Sequence, residues 1–165
     1  MPIRIVTAAR AVAIASLATA CRPAAPASGP AQQESASAAR ELVRDFTVQL
    51  DRGASDWNRG DLDGFMADYA RDSLTGFVSG GRVQRGYEWI REHYAPRFKE
   101  GATRDSLRFE AVEARSLGAE HALVNARYVL FRGGGTTSSG PFTLVMHRQP
   151  DGWKILHDHT SSDPR

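Results

Sequence analysis

The spacing of apolar residues changes once along this chain, at Gly101, and no other feature constrains the fold as much. Before it, Leu42, Phe46, Leu50 and Ala54 recur every fourth residue, with Trp57 three further on. That stripe predicts one long helix over roughly Ala36 to Asn58. Gly60 suits its stop and Asp61 suits the N-cap of the next helix. Leu62, Phe65, Met66 and Tyr69 then follow at i, i+3, i+4 and i+7, ending near Arg71. A short strand at about Leu74 to Val78 and a Ser79-Gly80-Gly81 turn precede a third helix, Gly86 to Phe98, whose end Pro96 disturbs. After Gly101 the period is two. Leu107–Ser116, His121–Arg132, Phe142–Arg148 and Trp153–Ser161 read as four strands, joined by the turn-like segments LGAE, GGGTTSSG and QPDG. Short connections between successive strands predict an antiparallel meander, and helices grouped ahead of a sheet predict an α+β domain.

The first residues stand apart from this pattern. Met1 to Arg10 carries Arg4 and Arg10 and no acid, Ala11 to Ala20 (AVAIASLATA) is a short apolar run, and Ala18-Thr19-Ala20 precedes Cys21. This arrangement predicts a signal peptide over 1–20, and its apolar run is too short to span a bilayer. Cys21, the single cysteine, stands where a bacterial lipoprotein would be acylated, although Ala18 occupies the place where such signals favour Leu and Leu17 falls one place early. The expected address is therefore exported, periplasmic or cell-envelope, with lipid on Cys21 as the only membrane attachment; the alternative is a soluble secreted protein with a free thiol. Residues 21–35, rich in Pro, Ala, Ser and Gln, read as a tether, and 36–162 as one domain. The chain has 21 basic and 19 acidic residues. Arg4 and Arg10 leave with the signal, so the mature part is balanced and gives no case for a nucleic-acid partner.

Against that frame, WNRGDLDGFMADYARDS (57–73), RGYEWI (85–90) and FTLVMHRQPDGWKILHDHTSS (142–162) resemble the nuclear transport factor 2-like superfamily, within it the SnoaL-like and kinase II association-domain-like branch, over nearly all of 37–162. The resemblance implies a cone: a curved antiparallel sheet wrapped around three N-terminal helices, a pocket between its concave face and the first helices, and homodimers packed sheet against sheet. That superfamily includes isomerases, cyclases, dehydratases, epoxide hydrolases and oligomerisation hubs, so the fold leaves the reaction open.

The run His157-Asp158-His159 invites a catalytic reading. On a regular strand Trp153, Ile155, His157, His159 and Ser161 share one face and Asp158 takes the other, which argues against a triad. A metal would need a third ligand, and no second paired motif supplies it, so no metal and no cofactor is expected. His159 is the expected acid–base group, should there be one, and His157 its neighbour on the pocket wall. Arg127, mid-strand in an apolar run, has two readings. It faces the pocket, as in hub-type relatives, to meet an acid group of the ligand, or it forms a salt bridge with Glu110 or Glu113 or lies exposed at an edge. Trp57, Phe65, Tyr69, Phe77, Trp89 and Tyr94 are expected to be core, with a subset lining the cone. No Tyr–Asp–Asp set of the steroid-isomerase kind maps onto the chain.

Three functions follow as expectations. The first is a binding module for a small apolar or aromatic ligand. The second is a cofactor-independent isomerase, cyclase or hydro-lyase using His159. The third is a dimerisation or protein-interaction domain.

Overall fold

A computed structural model describes residues 29–164. Residues 1–28, on which the expected signal peptide, Cys21 and the first part of the expected tether fall, lie outside the described residues.

Helix α1 (Pro30–Arg59) carries the predicted stripe, with Phe46, Leu50, Ala54 and Trp57 buried and Leu42 packed beside them. It begins ahead of the expected boundary, so 30–35 is helical rather than tether, and residues 33–41 are exposed. Gly60, at φ 84°, ends it. Asp61 then caps α2 (Leu62–Met66), its carboxylate accepting from the Gly64 amide at 2.8 Å. Helix α2 is shorter than its apolar spacing predicts because the next residues bond elsewhere. Ile155 donates its amide to the Asp68 carbonyl at 2.7 Å and Ala70 donates to the Ile155 carbonyl at 3.0 Å. Tyr69 thereby joins the sheet as a single parallel bridge to Ile155.

Strand β1 (Gly76–Ser79) turns through Gly80 and Gly81, both at positive φ, into β2 (Arg82–Arg85). The sequence pattern did not predict β2. RVQR shows no buried alternation because it is a charged edge strand, with Val83 61% exposed. Helix α3 (Tyr87–Tyr94) passes into a 3₁₀ turn at Ala95–Phe98, where Pro96 interrupts the α pattern. Four long strands follow: β3 (Ser106–Ser116), β4 (His121–Arg132), β5 (Gly135–Gln149) and β6 (Gly152–Thr160). Strand β5 absorbs most of the GGGTTSSG segment expected as a loop. Only Gly133 and Gly134, both at positive φ, make the turn, and Thr136, Ser138 and Ser139 after them pair with β4.

The six strands form one curved, unclosed sheet in the order β2-β1-β6-β5-β4-β3. All neighbours are antiparallel except β1 and β6. The helices cover the concave face, burying Phe46, Met66 and Ile90 against Val124, Leu144 and Met146. This is the expected α+β cone.

Register shifts interrupt three of the strand pairs: Thr137 is the extra residue where β5 meets β4, and the other two lie on β3 and β6. In β3 the register shifts between Glu110 and Glu113, with Ala111 at φ 53°. In β6, Val145 pairs with His157 but Met146 with Ile155, leaving Leu156 as the extra residue. A bulge of this kind inverts the alternation beyond it.

Candidate functional site

Between α1, α3 and the concave sheet lies a cavity of about 290 Å³. Its aromatic wall is built by Trp57 from α1, Phe65 from α2, Tyr69, Phe77 from β1 and Tyr94 from α3. These five were expected there. Their rings lock edge to face, Trp57 to Phe65 at 5.4 Å and Phe65 to Tyr94 at 5.0 Å between centroids, geometries that favour a rigid wall. The Trp57 indole Nε1 donates to the Asp105 carbonyl at 2.8 Å, which fixes the ring against β3. Phe109 and Phe142 close the sheet side, 5.3 Å apart.

Trp89, expected beside them, does not line the cavity. It stacks on the His93 ring instead (5.3 Å, 13°) and holds it from behind. His93, which was not among the expected site residues, is the one histidine among the described cavity-lining residues. Burial, with Arg97 next in effect, holds its pKa below the ordinary histidine value, so the ring is neutral at pH 7.

The last strand overturns the sequence reading. Because Leu156 bulges, the residues facing the cavity are Ile155, then Asp158, Thr160 and Ser162. His157 and His159 turn to the outer face, where His159 is exposed. Neither lines the cavity. Asp158, the residue expected to point away, is 5% exposed on the cavity wall. Tyr69 donates its hydroxyl to Asp158 Oδ2 and Thr160 donates to Oδ1, each at 2.7 Å. Burial raises the Asp158 pKa above the ordinary carboxyl value, and the hydrogen bonds from Thr160 and Tyr69 oppose that rise. His157 and His159, on the far side of the sheet, oppose it more weakly. Burial, then the charge of Asp158, pushes the Tyr69 phenol well above its usual range, and the same two causes raise Tyr94. Both phenols are therefore proton donors at any physiological pH.

A second buried carboxyl, Asp68, reaches the cavity beside Gly53. Burial raises its pKa, but Arg52 and Gln49 hold it, so it anchors α1 to the segment before β1.

Arg127 is also corrected. It projects from the outer face, its side chain 39% exposed, and is ion-paired with Asp163 rather than with Glu110 or Glu113. Asp163 accepts from Ser139 as well, which ties the chain after β6 to β5. The Ser161 amide donates to the Pro141 carbonyl at 3.0 Å and the Asp163 amide to the Ser139 carbonyl at 2.8 Å. This strap crosses Gly140 so closely that a Cβ there would collide with Ser161. Ser162, on the strap, shares the Tyr128 hydroxyl with Ser138 (2.9 and 3.0 Å), and all three border the cavity.

Chemically, the cavity offers an apolar body, one buried carboxyl held by two hydroxyls, a neutral imidazole and an arginine, Arg97. It can take a flat apolar molecule and exchange a hydrogen bond, or a proton, with it.

A family model described as a SnoaL-like domain matches residues 49–164. Among solved structures, the chain is similar to a nuclear transport factor 2-like protein of unknown function from Shewanella oneidensis MR-1. The two are 28% identical with a TM-score of 0.62, covering 73% of this chain and 98% of that one. It is similar in fold to a nuclear transport factor 2-like superfamily protein from Salmonella enterica serovar Typhimurium (18% identity, TM-score 0.58, 76% and 94% covered). A third similar fold is a structure from Thiobacillus denitrificans assigned to the calcium/calmodulin-dependent protein kinase type II association domain (23%, 0.59, 70% and 93%). No curated protein matches the chain.

Proposed function

Since the chain belongs to the SnoaL-like domain family of the nuclear transport factor 2-like fold, we propose that its cone is a binding chamber for one small, largely apolar molecule, and that Asp158 holds a polar atom of that molecule. One observation carries this reading: Asp158 is buried at the wall of an aromatic cavity, with Tyr69 and Thr160 each donating to it at 2.7 Å. A buried carboxyl is costly unless its oxygens are satisfied. Here both oxygens have a hydroxyl partner, so the group is held in place and its remaining hydrogen-bonding capacity serves a ligand.

The probe that tests this is 2-naphthol, a flat apolar body with one hydroxyl, followed by calorimetric titration. Asp158→Asn is expected to weaken binding about tenfold, the effect of losing one hydrogen bond to a charged group. His159→Ser is expected to leave it unchanged. Equal losses in both variants would remove Asp158 from the chamber's role.

A second reading, a cofactor-independent isomerase, cyclase or hydro-lyase, is favoured by the same carboxyl. A carboxyl with a raised pKa, next to two phenols that keep their protons, is suited to moving a proton at a ligand carbon or oxygen. In that reading Asp158 takes the place of His159. The proposals of export, of lipid on Cys21 and of a homodimer packed through the outer sheet face rest on the sequence and the family resemblance. Mass spectrometry of Cys21 and sedimentation of the purified domain test them.

A further inference from the structure

The structure points to the charge of the ligand: we infer that the chamber takes an organic anion, a small aryl or alicyclic carboxylate, whose acid group is met at the mouth by Arg97 together with His93. This rests on the chamber reading above and goes beyond it in naming the class of molecule.

Arg97 is the only arginine or lysine among the cavity-lining residues described. Its guanidinium carbon lies 5.9 Å from the centre of the Tyr94 ring, so the cation sits over the aromatic wall. Nη1 donates to the His93 carbonyl at 3.2 Å. Among the described residues Arg97 has no carboxylate partner, whereas Arg52, Arg59, Arg91, Arg127 and Arg132 each pair with an aspartate. A guanidinium has five N–H donors in a planar fork, and most of this fork is unspent. Arg104 adds a second cation at the same corner: its Nη1 donates to the Arg97 carbonyl at 3.0 Å and its guanidinium lies 5.3 Å from the Phe98 ring.

His93 supplies the neighbouring donor. Its ring is clamped by Trp89, Phe77 and Tyr94, with centroids 5.2 to 5.3 Å away. No described residue hydrogen-bonds its ring nitrogens, although the residue borders the cavity. A fork and an N–H one helical turn apart are the arrangement that holds a carboxylate while the apolar body lies on the aromatic wall. Both acids of the chamber are already engaged, Asp158 by Tyr69 and Thr160 on the sheet side and Asp68 by Arg52 and Gln49. The unmatched cation at the mouth is therefore the feature that selects charge.

The test uses two probes of nearly the same shape, 2-naphthoate and 2-naphthamide, titrated into the purified protein at neutral pH by calorimetry. The carboxylate is expected to bind about tenfold more tightly than the amide, the scale of a charged hydrogen bond. Arg97→Gln is expected to erase that preference with the amide affinity within about twofold. Arg97→Lys should recover part of it, because charge without the fork gives only part of the contact. Arg127→Ala should keep it in full. Equal binding of the two probes by the unaltered protein overturns the inference while leaving the chamber standing. So does loss of both affinities together in Arg97→Gln, or loss of the preference in Arg127→Ala. Binding of neither probe, nor of 2-naphthol, removes the chamber reading and the inference with it.

Discussion

The two faces of β6 use the same few residues in opposite ways. On the concave side Asp158 and Thr160 look into an aromatic cavity, with a tyrosine fixed on the carboxyl. On the convex side His157 lies against Gly76 and His159 stands in solvent. By residue type the histidines are the better acid–base groups, since imidazole titrates near neutrality. By environment the aspartate is, because burial shifts its ionisation and a satisfied hydrogen-bond set fixes its position. The contrast teaches that on a strand the pleat, and any break in it, decides which side chain has a chemical role.

Deleting Leu156 would test that contrast most directly. Without the extra residue Ile155 and Asp158 fall in regular alternation on the concave side, and His157 and His159 on the convex side. The two faces are therefore expected to keep their residues, at a cost of about 3 kcal/mol for the lost Leu156 side chain and the altered twist of the strand. The measurement is the thermal transition in circular dichroism, expected to stay cooperative at a lower midpoint. Loss of that transition would show that the bulge itself, and not the pleat alone, holds β6 in place.

The next effect is the pH dependence that separates the faces. Asp158 has a pKa raised by burial, so the folded protein holds its proton more tightly than the unfolded chain does. The sign follows: the contribution of this group is complete below the ordinary carboxyl range and is lost as pH rises through the raised value. Asp61, Asp105, Asp151 and Asp163 are shifted the other way by hydrogen bonds and cations around them, so the test must be a difference. Urea unfolding between pH 4 and 7 of parent and Asp158→Asn is expected to show the variant gaining relative stability as pH rises. A constant difference between the two across that range would mean that Asp158 binds its proton alike in the folded and unfolded chain.

A smaller effect sharpens the convex side. A Cβ at Gly76 would collide with the His157 ring across the parallel β1–β6 pair. Gly76→Ala is expected to cost about 1–2 kcal/mol through that clash. His157→Ala in the same chain should return most of it, a coupling read from a double-mutant cycle. Additive losses would mean that His157 does not lie against β1.

Much of this fold was legible in the sequence because it rests on periodicity. The α1 stripe from Leu42 to Trp57, the Gly60 stop and the Asp61 cap, and the last four strands all follow from local spacing and turn chemistry. The aromatic wall was legible in five of its members for the same reason. What escaped were features set by pairing at a distance. Strand β2 has no apolar alternation, and the Thr136–Ser139 run looks like a loop until it meets β4. The Leu156 bulge leaves no mark in WKILHDHTSS, and that single residue moved Asp158 into the site and both histidines out of it. Arg127 was ambiguous for a related reason. Its partner Asp163 lies beyond the last strand, on a strap that the strand pattern could not place. His93 and Arg97 had a faint signal, a donor pair four apart on one side of a helix facing the aromatic rows, but nothing local marked that side as the mouth.

The strap has a consequence for the order in which the chamber comes into being. Ser162 completes the wall by sharing the Tyr128 hydroxyl with Ser138, and it belongs to residues that a ribosome adds after all six strands. A nascent chain with β6 already emerged would hold a sheet and helices in place, yet its cone would be open along the edge that Ser162 closes. Ligand capture during synthesis would then have to wait for Ser162, although the sheet had already begun to pair.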